Sequence, residues 1–96
     1  MREPTDQEIL DILAEECAEV IHIVSKIRRF GKYDCHPHTG ECNQARLREE
    51  VLDVMAMIEW IQHREIMPPF LMDEVRNATK HKHDKVRRYL REQRYI

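Results

Sequence analysis

Glycine and long apolar runs are what this sequence has least of. Only two of its 96 residues are glycine, and aromatic residues make up 6%. A composition so poor in glycine and rich in Glu and Arg favours helices over strands and tight turns. No stretch approaches the roughly 18 uncharged apolar residues that span a bilayer, so we expect no membrane segment. The first residues lack the apolar run of a signal peptide, and we expect a cytoplasmic protein.

The charged residues are unevenly distributed along the chain. Residues 1–75 carry 16 acidic and 8 basic side chains, whereas residues 76–96 carry 2 acidic and 8 basic ones. An acidic body with a basic C-terminal segment can bind cations and a phosphorylated ligand together. A basic helix with a solvated outer face produces the same pattern, so charge alone leaves both interpretations open.

Hydrophobic periodicity and turn signals predict three helices. Thr5 and Glu8 form a capping-box pattern at the start of the first helix, and Gly31 ends it. The segment GKYDCHPHTGECN, residues 31–43, contains both glycines and predicts a loop. Pro68, with the proline after it, stops the second helix. The predicted bounds are about Thr5 to Phe30, Asn43 or Gln44 to Ile66, and Phe70–Asp73 to Arg94.

The whole chain, residues 1–96, is expected to form one domain. A chain this short buries only roughly 60–65% of its unfolded surface, so a second copy is expected to complete its core. We therefore predict an all-α fold, in which a long helical hairpin and a C-terminal helix are completed as a four-helix bundle by dimerisation.

Carboxylates interrupt the apolar stripes of the first two helices. Glu16 lies within the stripe of the first helix and Glu19 lies on its edge, while Glu50 and Asp53 occupy the same places in the second. Residues three apart are neighbours on a helix surface, so the two pairs converge in an antiparallel hairpin. Four surface acids without a shared role are the alternative interpretation of this pattern.

A cluster of carboxylates requires protons or a cation. Two unit charges about 4 Å apart repel by ~1 kcal/mol in water and by ~4 kcal/mol at an effective dielectric near 20. The cluster must therefore either take up protons, with raised pKa values, or hold a metal ion. Ligands that are all oxygen select Mg²⁺ or Mn²⁺ over zinc.

The acidic residues also resemble a family signature. EECAE at 15–19 and EVLD at 50–53 are similar to the EExxE…ExxD signature of the MazG-type, all-α NTP pyrophosphohydrolases. The sequence that connects the two acidic motifs resembles that of small, phage-type members, and the resemblance covers about residues 9–62. The matching segments between the two acidic halves are IRRFG at 27–31, HP at 36–37, TG at 39–40, Asn43, and RL at 46–47.

This resemblance implies an enzyme that converts a nucleoside triphosphate and water into a monophosphate and pyrophosphate with Mg²⁺. Carried over by position, it makes Glu16, Glu19, Glu50 and Asp53 the metal ligands, and it gives Glu15 a role in orienting the attacking water. Basic residues after the acidic half are expected to bind the phosphates, and an aromatic side chain to stack on the base. A homodimer or homotetramer is expected. The candidate substrate-binding residues are Asn77, Lys80, Lys82, Arg87 and Trp60.

The cysteines allow a different kind of site. Cys17, Cys35 and Cys42 are odd in number in a chain without an export signal, which predicts reduced thiols rather than disulfides. Cys35 and Cys42 flank His36 and His38, and these four side chains invite a zinc interpretation. The spacing lacks a CxxC knuckle, and two neighbouring histidines do not easily bind one ion together.

Two further classes of protein compete with the hydrolase. Glu19 and His22 form an E-x-x-H, which di-iron carboxylate bundles use together with further Glu ligands, although the second helix offers E-x-x-D instead. A nucleic-acid-binding or adaptor helix bundle, using the basic last helix, is the other class and predicts steep salt dependence of binding. Nothing in the sequence resembles a recognition helix or an aromatic platform, so no nucleic acid partner is expected.

Overall fold

A computed structural model describes residues 1–94 of the chain and contains three α-helices. They are α1 (Asp6–Phe30), α2 (Asn43–His63) and α3 (Met72–Arg94). Within the described residues there is no β-strand, only an isolated antiparallel bridge in the loop between α1 and α2. The predicted all-α class is confirmed.

The start of α1 is fixed by the capping box that the sequence predicts. The Thr5 hydroxyl accepts a hydrogen bond from the Glu8 N–H at 3.1 Å, and the Glu8 carboxylate accepts one from the Thr5 N–H at 3.0 Å. The Arg2 guanidinium binds the same carboxylate, and this bond, helped by the Thr5 N–H, lowers the pKa of Glu8 to about 2. At the other end, Gly31 has a φ of 93° and donates its N–H to the Ile27 carbonyl.

The loop between α1 and α2 is closed by a disulfide between Cys35 and Cys42. The antiparallel bridge places these two residues side by side, and the His36 N–H donates to the Glu41 carbonyl at 2.9 Å within it. The expectation of reduced thiols is therefore wrong for this pair, because the odd count of cysteines gives no information on which residues the loop brings together. The free thiol is Cys17, which is exposed.

The end of α2 differs from the prediction. The helix ends at His63 rather than Ile66, and Glu65 has a left-handed φ of 57°. Just beyond the helix, the Arg64 guanidinium donates to the Pro4 carbonyl at 3.0 Å and binds the Asp6 carboxylate at 2.8 Å. These bonds tie the end of α2 to the start of α1. The helix itself ends locally, because Glu65 is left-handed and the Ile66 N–H donates to the Ile61 carbonyl at 3.0 Å, the pattern of a helix C-cap.

The core lies between α1 and α2 and is small. The buried apolar side chains among the described residues are Ile9, Ile23, Met57 and Ile61. Three of them, at the open end of the hairpin, form one cluster against which Trp60 and other half-buried side chains pack. The hairpin is therefore joined by one narrow seam.

Helix α3 packs on neither of the other two helices. Within residues 1–94, α1 and α2 are the pair of helices in contact, and every α3 side chain described is exposed. A hydrogen bond of 2.7 Å from the Phe70 N–H to the Gln62 side chain holds the connecting segment to α2. The apolar stripe of α3 faces solvent, with Val75, Val86 and Leu90 all exposed.

The chain exposes more surface than a completed domain of its size. Its accessible area is 8395 Å² for a mass of 11.7 kDa, whereas a folded monomer of that mass exposes about 5,900 Å². Its radius of gyration is 17.1 Å, against about 12.5 Å for a compact domain of this length. None of the described helices combines the length and the apolar character needed to cross a bilayer.

Candidate metal centre

Three carboxylates from the two hairpin helices meet on one side of the hairpin. Glu16 of α1 and Glu50 and Asp53 of α2 each offer an oxygen, and these oxygens lie within 4.8 Å of one another. Glu50 and Asp53 are neighbours because three residues separate them on one helix, and the antiparallel pairing brings Glu16 opposite. Glu16 and Glu50 are half-buried and Asp53 is exposed. This acidic cluster is the one group of potential metal ligands that the described residues form.

The acidic cluster is electrostatically unbalanced. The pKa of Glu16 is raised, first by desolvation and then by the negative charges of Asp53, Glu50, Glu19 and Glu15. None of these five acids takes part in the four ion pairs found between described residues. The site therefore carries a local excess of negative charge that a proton or a cation relieves.

The donor set fits a small, hard cation. All the donors are carboxylate oxygens, which Mg²⁺ and Mn²⁺ prefer and which disfavour zinc. Mg²⁺ takes oxygens at about 2.1 Å in an octahedron, so its ligand atoms lie roughly 3–4 Å apart. The cluster's separation of up to 4.8 Å would have to shorten slightly, by side-chain rotation, to hold such an ion. Three carboxylates leave further octahedral positions for water and phosphate oxygens.

The two remaining acids of the signature lie beside the cluster. Glu15 and Glu19 are exposed and do not share the common separation that joins the other three. Both are near enough for their charges to raise the pKa of Glu16. The structure thus brings together three of the four predicted ligands, with Glu19 and Glu15 on the margin.

The predicted phosphate-binding residues lie elsewhere in the chain. Asn77, Lys80, Lys82 and Arg87 are on α3, which contacts neither helix of the hairpin, so one chain does not bring them to the acidic cluster. Trp60 is half-buried on α2, seven residues beyond Asp53 and therefore on the same face of the helix.

Two basic residues on the helices that carry the cluster were not among the sequence candidates. Lys26 and Arg46 are half-buried and line a pocket at the loop end of the hairpin. Their spacing is the signal that points to them: Lys26 follows Glu19 by seven residues, and Arg46 precedes Asp53 by seven. A seven-residue interval is close to two helical turns, so each basic residue shares a face with an acid of the signature.

The ligand sets of the competing metal sites are not assembled. His22, the histidine of the E-x-x-H pattern, is exposed and lies outside the acidic cluster. Cys35 and Cys42 are joined in a disulfide and so cannot bind zinc as thiolates in this state. His36 is engaged locally, because its Nδ1 accepts hydrogen bonds from the N–H groups of His38 and Thr39.

Comparison with protein-family models gives no match, and comparisons with curated proteins and with solved structures give none either. The MazG-type resemblance therefore stays a prediction from the sequence. The geometry of the acidic cluster is independent of that resemblance.

Proposed function

We propose that this chain is a Mg²⁺-dependent nucleoside triphosphate pyrophosphohydrolase of the MazG type. It would hydrolyse an NTP or dNTP to the monophosphate and pyrophosphate. The observation that carries the proposal is the meeting of Glu16, Glu50 and Asp53 within 4.8 Å, without a basic partner in the described ion pairs. These are three of the residues that the signature names as ligands.

The roles of the residues follow from their positions. Glu16, Glu50 and Asp53 would hold the ion, and Glu19 would join them by a change of rotamer. Mg²⁺, or Mn²⁺ in its place, supplies charge stabilisation for a phosphoryl group and lowers the pKa of a bound water. Glu15, exposed beside the cluster, would accept a hydrogen bond from the attacking water and orient it. Such catalysis depends mainly on positioning and electrostatics.

A second copy of the chain is the partner that the apolar surface fits. Leu10, Ile21 and Val24 repeat at helical spacing on α1 and are exposed, and Val51 and Met55 do the same on α2. In an antiparallel hairpin these two stripes lie on one side, opposite the side that carries Glu19 and Asp53. Packing this apolar face against its copy completes a four-helix bundle and leaves the acidic cluster accessible.

In a dimer, the basic helix α3 of one copy can pack on the acidic hairpin of the other. The described part of α3 is strongly basic and does not pack on its own acidic hairpin. Charge complementarity favours docking α3 on the hairpin of the second copy, in a homodimer or a homotetramer. There Asn77, Lys80, Lys82 and Arg87 would be within reach of a bound triphosphate.

The proposal is tested by a panel of NTPs and dNTPs assayed for pyrophosphate release in Mg²⁺ or Mn²⁺. We expect stoichiometric pyrophosphate and monophosphate from at least one nucleotide, and no release in EDTA. Release of orthophosphate alone, or no release from any nucleotide, would refute the proposed reaction. Bound iron with oxygen-dependent absorbance would instead support the di-iron class.

A further inference from the structure

A pocket lies at the loop end of the hairpin formed by α1 and α2, the two helices that carry the acidic cluster. Lys26 and Arg46 line it together with Phe30, His36 and Asn43. We infer that this loop-end pocket binds the outer two phosphates of the nucleotide, the part that leaves as pyrophosphate. The inference rests on the proposed function, because it completes a triphosphate site of which the acidic cluster is the inner part.

The two cations of the loop-end pocket have no counter-ion. Both Lys26 and Arg46 are half-buried, and neither takes part in the four ion pairs between described residues. A partly desolvated cation without a partner is unfavourable, so the pocket gains by accepting an anion. Asp34 is the one acidic residue lining the pocket, which leaves the lining positive.

Two further features of the loop-end pocket favour an anion. The Nδ1 of His36 accepts hydrogen bonds from two loop N–H groups, at 3.1 and 3.3 Å, so the neutral ring carries its proton on Nε2. The first turn of α2 contains no acidic residue, and its N-cap, Cys42, makes no side-chain cap. The positive end of that helix dipole therefore adds to the two cations.

The spacing suits a polyphosphate held at both ends. Seven residues, from Glu19 to Lys26 or from Asp53 back to Arg46, correspond to about 10 Å along a helix. Side chains on a helix lean towards its N-terminus, so Lys26 leans from the loop end towards the acidic cluster, whereas Arg46, near the start of α2, leans towards the loop. A triphosphate whose inner phosphates contact a metal on the cluster can reach both cations with its outer phosphates.

Three residues on one face of α2 determine which end of the nucleotide lies towards the loop. Arg46, Asp53 and Trp60 follow one another at seven-residue intervals on one face of α2. If the outer phosphates bind at Arg46 and the reacting phosphate lies at Asp53, the base lies at Trp60. Trp60 is half-buried, so part of its side chain is available for stacking on the base. The base thus lies at the open end of the hairpin and the leaving group at the loop.

Calorimetric titration with inorganic pyrophosphate in Mg²⁺ tests the loop-end pocket. We expect Lys26→Gln and Arg46→Gln each to weaken pyrophosphate binding about tenfold, the loss of one charge-assisted bond. Arg48→Gln, the same change at an exposed position two residues from Arg46, should bind like the wild type. Wild-type affinity in both pocket variants would overturn the inference. Circular dichroism verifies that each variant keeps its helices.

The only tryptophan of the chain gives a second readout of direction. Nucleoside monophosphate should quench Trp60 fluorescence with an affinity that Arg46→Gln leaves unchanged, whereas pyrophosphate should not quench it. Quenching by pyrophosphate would contradict the assigned direction.

The two proposals fail separately. If nucleotides are hydrolysed while pyrophosphate binding ignores Lys26 and Arg46, the loop-end pocket is wrong and the activity stands. If no nucleotide is hydrolysed but both variants lose pyrophosphate, the anion pocket stands without the activity.

Discussion

At the scale of single residues, the informative carboxylate is Glu16. It lies on the side of α1 that faces α2, where an apolar side chain would normally pack. Desolvation and four neighbouring acids raise its pKa, so the empty protein bears a local electrostatic cost. This cost is consistent with a site that binds a cation, because a bound cation would remove it.

Glu16→Gln is expected to stabilise the metal-free protein at pH 7. The folded protein holds the Glu16 proton more tightly than the unfolded chain, whose pKa is near 4.5. The penalty is therefore absent below pH 4.5 and complete once the pH exceeds the raised folded pKa. Thermal unfolding should show a melting temperature a few degrees higher at neutral pH, with the gain lost in acid.

Mg²⁺ should stabilise the wild type more than it stabilises Glu16→Gln. By mass action it should raise the melting temperature of the wild type and raise that of Glu16→Gln less. Glu59→Gln, the same change at an exposed site on α2, serves as the control. Equal Mg²⁺ shifts in all three proteins would argue against an ion at the cluster.

At the scale of elements, the sequence predicted the existence and the type of the helices better than it predicted how they end and pack. The capping box at Thr5 and the glycine at position 31 are local signals, and both helix ends they predict are confirmed. The end of α2 was missed because the left-handed cap is formed by Glu65 and not by a glycine, the residue that usually signals such a cap. The lack of contact between α3 and the two hairpin helices is a tertiary feature, which local sequence patterns do not predict.

The acidic cluster was also predictable in part from the sequence. Helical periodicity alone places Glu16, Glu50 and Asp53 on facing sides of a hairpin, and the structure brings them together. Glu19 has the right spacing, but where its side chain lies depends on rotamers that periodicity does not determine. Lys26 and Arg46 were missed because isolated basic residues are common on helices, and their meaning emerges only beside a pocket.

The loop disulfide gives a prediction at this scale. Alkylation of the folded protein without reductant should label Cys17 alone, and all three cysteines after reduction and unfolding. Cys35→Ser should lower the free energy of unfolding by about 2 kcal/mol, because the unfolded chain regains the freedom of a short loop. Cys17→Ser is the control and should change stability little. Three labels without reductant would contradict the pairing.

At the scale of the whole molecule, the single chain exposes more surface than a finished domain of its mass. The excess is about 2,500 Å² per chain, so a pair that buried all of it would bury about 5,000 Å² in total, at the upper end of the range for obligate dimers. The apolar face of the hairpin and the apolar stripe of α3 account for exposed side chains that a soluble monomer rarely gathers in one place. We therefore propose that the chain assembles with a second copy in order to function.

Met55→Asp should break this assembly. Met55 is 59% exposed in the single chain and lies in the centre of the apolar face, so a charge there would be buried unpaired in the dimer. Light scattering should give at least twice 11.7 kDa for the wild type and the single-chain mass for the variant. Ala18→Asp, on the outer side of α1, should leave the mass unchanged. A wild-type monomer at micromolar concentration would contradict the assembly.

The most direct test of the account is pyrophosphate release by Asp53→Asn beside the wild type, in Mg²⁺ and with whichever nucleotide the wild type hydrolyses best. Asp11→Asn, the same change at an exposed position on α1, is the matched control. We predict that Asp53→Asn retains its helices and loses at least a hundredfold in rate, since one ligand of the ion is gone, while Asp11→Asn keeps the wild-type rate. Wild-type release of pyrophosphate by Asp53→Asn would contradict the metal centre, and with it the proposed function.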